Sequence, residues 1–222
     1  MSQPEREAQV QWWARGMLER MGVALEVRGT PPAVAPVRTP VLLVANHLSW
    51  LDILVMHASR FCRFVSKDDV HGWPLVGTLA TGAGTLYIER NSRRDAQRVA
   101  HAMANALQQG DVVAVFPEGT TGEGYEVLPF HANLLQSAIA VDAPAQPVAL
   151  AYLNARTGAP SRDALYVGDD TLVGSLWRTL TAEGLRAVVI YGTPETAAGR
   201  SRREWAQGLR ERVASQLEQA LG

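Results

Sequence analysis

The chain has 222 residues, 47% of them hydrophobic and 19% charged, enough for one domain with a substantial core. A formal net charge of −1 excludes a global field that would gather nucleic acid or anionic lipid. The lone Cys62 excludes an internal disulfide framework and suits a reducing compartment. The charged start has no secretory pattern, and no stretch approaches the roughly 18 uninterrupted apolar residues of a membrane span, so any membrane contact is expected to be peripheral.

Residues 5–24 read as an amphipathic helix in which Val10, Trp13, Met17 and Met21 form a stripe widened by Ala14 and Leu18. Such a stripe ordinarily docks on a core. Trp12, on the other side among Arg15, Glu19 and Arg20, instead suggests an interfacial position, which makes this helix the expected membrane contact, with Trp12 and Trp13 as wedges. Residues 1–30 are therefore taken as a helical segment preceding a single domain over 31–222.

After a proline-punctuated connection, VLLVA (41–45) is a continuous apolar run, as a strand buried on both faces requires. FCRFVS (61–66) and AGTLYI (83–88) are further strand candidates. Ser92, with Asp95 three residues on, opens a helix that turns Ala96, Val99, Met103 and Leu107 inward; Gly110 stops it, and VVAVF (112–116) is the next strand. Helical character over 132–141 and near 171–182 alternates with strands at 147–153 and 185–191. Ser201 and Glu204 then cap a terminal helix carrying Trp205, Leu209, Val213, Leu217 and Leu221. This alternation predicts an α/β layered fold: a largely parallel central sheet flanked by helices, with an amphipathic helix at the N-terminus.

Chemistry concentrates in Asn46-His47-Leu48-Ser49-Trp50-Leu51-Asp52, where a buried strand gives way to a helix. Open α/β sheets bind ligands at the carboxyl ends of their strands. A carboxylate one turn beyond the histidine fixes its tautomer and leaves the other ring nitrogen as a base. Alone, the pair reads more readily as a satisfied turn histidine beside a first-turn Asp. Its company gives it weight: GTLYIER (84–90) is a strand ending in Arg90, and FPEGT (116–120) is a strand ending in a Pro-Glu-Gly turn. Arg suits bidentate capture of a phosphate or carboxylate.

NHLSWLD, GTLYIER, FPEGT and QPVAL, in that order from about Val41 to Leu153, resemble the four motifs of the glycerolipid acyltransferase family of the lysophosphatidic-acid type. The resemblance implies His47 as general base, Asp52 as its orienting partner, and Gly84, Arg90, Glu118, Gly119 and Thr120 around the acceptor. It also implies an acyl-coenzyme A or acyl-carrier-protein donor and a lysolipid acceptor at a membrane, here the inner face of the cytoplasmic one. Asn46 and Lys67 are further site candidates. Many members carry Arg after the third motif, where this chain has Thr121; the stretch that follows is more similar to the branch acting on lyso-ornithine lipid, whose head group has no phosphate.

His57, His71, His101 and His131 lack metal-ligand spacing, and there is no Gly-x-Ser-x-Gly elbow. No metal or redox cofactor is expected, and no acyl-enzyme. Two alternatives stay open: a thioesterase-like hydrolase using the same pair on water, and a non-catalytic lipid-binding module.

Overall fold

The computed structural model describes residues 2–33, 39–67, 85–88 and 93–222. The described elements are α1 (Gln3–Arg20), β1 (Val23–Arg28), β2 (Val41–Ala45), α2 (Leu51–Ser59), β3 (Arg63–Lys67), β4 (Leu86–Ile88) and α3 (Arg93–Gln108). They continue with β5 (Val112–Val115), a 3-10 turn (Ala132–Leu135) running into α4 (Gln136–Ala140), β6 (Ala145–Asn154), α5 (Leu172–Thr181), β7 (Leu185–Tyr191) and α6 (Arg202–Leu221).

The strands form one seven-stranded sheet in the order β1-β7-β6-β2-β5-β3-β4. β6, β2, β5, β3 and β4 are parallel; β7 runs antiparallel to β6, and β1 runs parallel to β7. The predicted largely parallel α/β architecture is the observed one.

β2 lies at the centre, buried along its whole length, and its alternating side chains feed two cores. Leu43 and Ala45 pack under α1 and α2, while Leu42 and Val44 pack against α3 and α6. Val99, Met103 and Leu107 of α3 point inward as expected, and Trp205, Leu209, Val213 and Leu217 are the buried stripe of α6. The predicted capping box of α6 is formed, with the Glu204 N–H donating to Ser201 Oγ and the Ser201 N–H to Glu204 Oε2. Ser92 and the side chain of Ala96 lie outside the described residues.

The N-terminus differs from expectation in two respects. The helix ends at Arg20, because Gly22 takes a left-handed conformation (φ 72°) that suits a glycine after a C-cap. Within the segment taken as helical, Val23–Arg28 instead forms the edge strand β1 on β7. The apolar stripe of α1 docks on the core: Ala14 and Leu18 are fully buried, and Trp13 and Met17 are packed against them. Two polar side chains complete the docking. Gln11 donates to the Ser59 carbonyl (2.9 Å) and Arg15 to the Ala58 carbonyl (2.8 Å), satisfying acceptors at the C-terminus of α2. Trp12 is left exposed. Among the described residues, no helix is long and apolar enough to cross a membrane.

Candidate active site

β2 ends at Ala45, and α2 begins at Leu51; the five residues between carry the site. Asn46 continues the sheet through its side chain: Nδ2 donates to the Leu150 carbonyl (3.0 Å), and Oδ1 accepts from the Leu150 N–H (2.7 Å). With both ends of its amide engaged by β6, Asn46 fixes where the chain leaves the strand.

His47 follows. Its Nδ1 lies 2.7 Å from Asp52 Oδ2, across one turn at the start of α2. The same oxygen accepts the N–H groups of Leu48 (2.7 Å) and Ser49 (3.0 Å), and Oδ1 accepts the Tyr152 hydroxyl (2.7 Å). Asp52 is fully buried, and these four contacts among the described residues stand in for hydration. Backbone N–H groups can only donate, which makes Oδ2 an acceptor toward the ring as well. The proton of neutral His47 is thereby assigned to Nδ1, and Nε2 carries the lone pair. The His47 side chain is 22% exposed. Its ring stacks on Phe116 at a centroid distance of 4.1 Å and an interplanar angle of 11°, which holds its plane.

The third motif supports the histidine from below. After β5, Pro117 and Glu118 enter a turn in which Gly119 has φ 73°, a left-handed conformation open to glycine. A side chain at Gly119 would also press within 3.2 Å of the His131 ring. Glu118 Oε1 accepts the N–H of His47 (2.8 Å), and Oε2 accepts that of Leu128 (2.9 Å). Burial pushes the Glu118 carboxyl above its ordinary range, against the pull of the Leu128 and His47 N–H groups; nearby Asp52 adds a further push upward. The backbone closes the loop, with the Gly122 N–H donating to the His47 carbonyl (2.8 Å). Thr121, where many members of the resembling family have Arg, donates its hydroxyl to the Tyr166 carbonyl. Gly119 and Thr120 are exposed at the same turn.

His47, Asp52 and Glu118 are therefore brought together, with Gly119 and Thr120 beside them. Gly84, Arg90 and the side chain of Lys67 lie outside the described residues. Sequence reasoning missed Tyr152. Burial, then the Asp52 charge, drives its phenol pKa well above the ordinary value, so it stays a donor to Asp52. A tyrosine in the apolar run PVALAYL of β6 was the available signal, because a buried hydroxyl needs a partner.

An imidazole with Nδ1 held by a buried carboxylate, and with no partner on Nε2 among the described residues, is equipped to accept a proton from a bound hydroxyl. A profile of the family described as Acyltransferase matches residues 25–151, more than half the chain, and includes His47, Asp52 and Glu118. The chain belongs to the acyltransferase family. It is 36% identical over 210 residues to a lyso-ornithine lipid O-acyltransferase of Pseudomonas aeruginosa, covering 95% of this chain and 78% of that one. It is 40% identical over 174 residues to a 1-acyl-sn-glycerol-3-phosphate acyltransferase of Neisseria meningitidis, covering 77% of this chain and 65% of the other. The crystal structure of the 1-acyl-sn-glycerophosphate acyltransferase PlsC from Thermotoga maritima superposes with a TM-score of 0.69 at 19% identity, over 96% of this chain and 78% of that one, a likeness of fold. By sequence this is an acyltransferase enzyme of the lysolipid type, and the turn that carries His47 and Asp52 falls inside the matched region.

Proposed function

We propose that this acyltransferase moves a fatty acyl group from an acyl-coenzyme A or acyl-carrier-protein thioester to the hydroxyl of a membrane-borne lysolipid, with His47 as general base. The observation that carries the proposal is the His47–Asp52 contact of 2.7 Å, with Asp52 buried and anchored by two N–H groups and the Tyr152 hydroxyl. Nε2 of His47 takes the proton of the acceptor hydroxyl as its oxygen bonds to the thioester carbonyl carbon. The tetrahedral intermediate collapses, the carbon–sulfur bond breaks, and the imidazolium returns the proton to the leaving thiolate. Atoms balance without an acyl-enzyme and without a metal. Asp52 stabilises the transient imidazolium, and Glu118 and Phe116 hold the backbone and ring that present it.

The acceptor is a 1-acylglycerol 3-phosphate or a lyso-ornithine lipid, the substrates in the names of the relatives at 40% and 36% identity. Arg90, Gly119 and Thr120 would contact its head group, as the family resemblance implies; Thr121, bound to the Tyr166 carbonyl, supplies no cation there. The enzyme would act as a peripheral protein on the inner face of the cytoplasmic membrane.

The test is purified protein with each thioester donor and a panel of lysolipids with and without phosphate. Thiol release that requires a lysolipid and yields the diacyl product is the expected result. Thiol release at the same rate without acceptor would mark a hydrolase, and no release with any pair would contradict the proposal.

A further inference from the structure

α5 is built inside out. On an ordinary surface helix the apolar residues face the core and the polar ones face water. Here the buried positions are Ser175 and Thr179, whose hydroxyls donate to the carbonyls of Leu165 and Asp163. The outward positions are Val173, Leu176, Trp177 and Leu180, which share one face at helical spacing, with Val173 78% and Trp177 70% exposed. The remaining large exposed apolar side chains among the described residues, Trp12, Val27 and Tyr125, lie on α1, β1 and the loop after β5. The only ionisable side chain of α5 is Arg178, and it is turned back to the Leu165 carbonyl and to Asp170 (2.9 Å). The outward face is therefore apolar and uncharged.

Its position in the fold ties it to the catalytic turn. β2 ends where Ala45 pairs with Val148, but β6 continues to Asn154, on the order of 20 Å further at about 3.3 Å per residue. α5 lies in the connection from that far end to Leu185, beyond the carboxyl end of β2 where His47 stands. Two hydrogen bonds join this connection to the catalytic turn: the Tyr166 N–H to the Leu48 carbonyl (3.0 Å), and the Trp50 indole N–H to Ser175 Oγ (3.1 Å).

We propose that the Val173, Leu176, Trp177 and Leu180 face of α5 docks this enzyme on a lipid bilayer and so holds the mouth of the site at the surface that carries the acceptor. The inference rests on the lysolipid reading above, and it names the surface that meets the lipid. A helix of ten residues, about 15 Å long, is too short to span and suited to lying in the interface, with a tryptophan at its centre. A face without unpaired charge complements hydrocarbon rather than anionic head groups, so binding depends on apolar insertion and little on salt. Continuity with the catalytic turn through Trp50 argues for lipid over a second copy of the chain, which would cover the face without presenting a substrate. α1, whose stripe is already spent on the core, is not the docking element.

The test uses the full-length protein with vesicles of phosphatidylcholine alone and of phosphatidylcholine with phosphatidylglycerol, at low and high salt. The variants are the fourfold Val173→Ser, Leu176→Ser, Trp177→Ser and Leu180→Ser, the single Trp177→Glu, and Trp12→Ser as a control, each checked for native circular dichroism and oligomeric state. Both α5 variants are expected to lose vesicle partition by about tenfold or more, in both compositions and at both salts, while Trp12→Ser keeps it. Transfer to a short-chain, monomeric lysolipid should persist in the α5 variants while transfer to vesicle-borne lysolipid falls with partition. Unchanged partition in both α5 variants, a wild type that ignores both vesicles, or a shift from dimer to monomer with partition intact would each overturn the docking assignment. Partition is read without turnover, so failure of the acyl-transfer reading would appear separately, as a wild type inactive on monomeric acceptor.

Discussion

Asp52 and Glu118 are both carboxylates at the site, yet the atoms they hold give them different duties. Asp52 grips the His47 ring, whereas Glu118 grips the His47 backbone and the Leu128 N–H. Glu118→Gln presents an NH₂ group to one of those two donors and leaves it unsatisfied. A loss of about 1–3 kcal/mol in stability follows, measurable by denaturant titration, together with a fall in kcat. The Michaelis constant for the acceptor should change little; a selective rise in it would show instead that Glu118 binds the acceptor, as the family resemblance implies. Tyr152→Phe removes one donor from Asp52 without changing the packing of β6. The expected result is a kcat reduced by roughly tenfold, the scale of one hydrogen bond to a charged group, with both Michaelis constants nearly unchanged. Rates equal to wild type across pH would assign Tyr152 to packing alone.

At the scale of elements, α2 is what aims Asp52, and α1 is what closes α2. Removing residues 1–22 strips the Gln11 and Arg15 donors from the Ala58 and Ser59 carbonyls and uncovers the core around Leu18. The truncated chain is expected to lose its cooperative thermal transition; a folded truncate that merely fails to bind vesicles would return α1 to the role its amphipathic pattern suggests. α2 also buries His57 between Phe61 and Phe64, and burial lowers its pKa to about 4. Between pH 6.5 and 4 the unfolded chain binds a proton there that the native one does not, so stability is lost as pH falls through that window. The full effect is about 3 kcal/mol at 1.36 kcal/mol per pKa unit. His57→Phe should flatten the slope of stability against pH in that range; an unchanged slope would place the acid sensitivity elsewhere.

Across the whole molecule, what was legible in sequence was what repeats locally. The five-residue run at β2, the inward stripes of α3 and α6, and the capping box at Ser201 all declare themselves within a few residues. β1 did not, since its partner β7 is about 160 residues away and the helical reading runs to residue 24, past the weaker stop signal of Gly22. The His47–Asp52 pair could be read because both members sit in one turn. Tyr152 reaches Asp52 across 100 residues, and Glu118 acts on a backbone N–H across 71, contacts that no motif spacing encodes. α5 was legible as a helix near 171–182, but which of its faces turns outward is told only by the fold. All of these parts converge on one nitrogen, Nε2 of His47. The most direct measurement is therefore acyl transfer by purified, folded His47→Ala at saturating donor and acceptor. A fall of about 10²–10⁴-fold or more, with native circular dichroism, is the predicted result; turnover near that of the wild type would contradict the account.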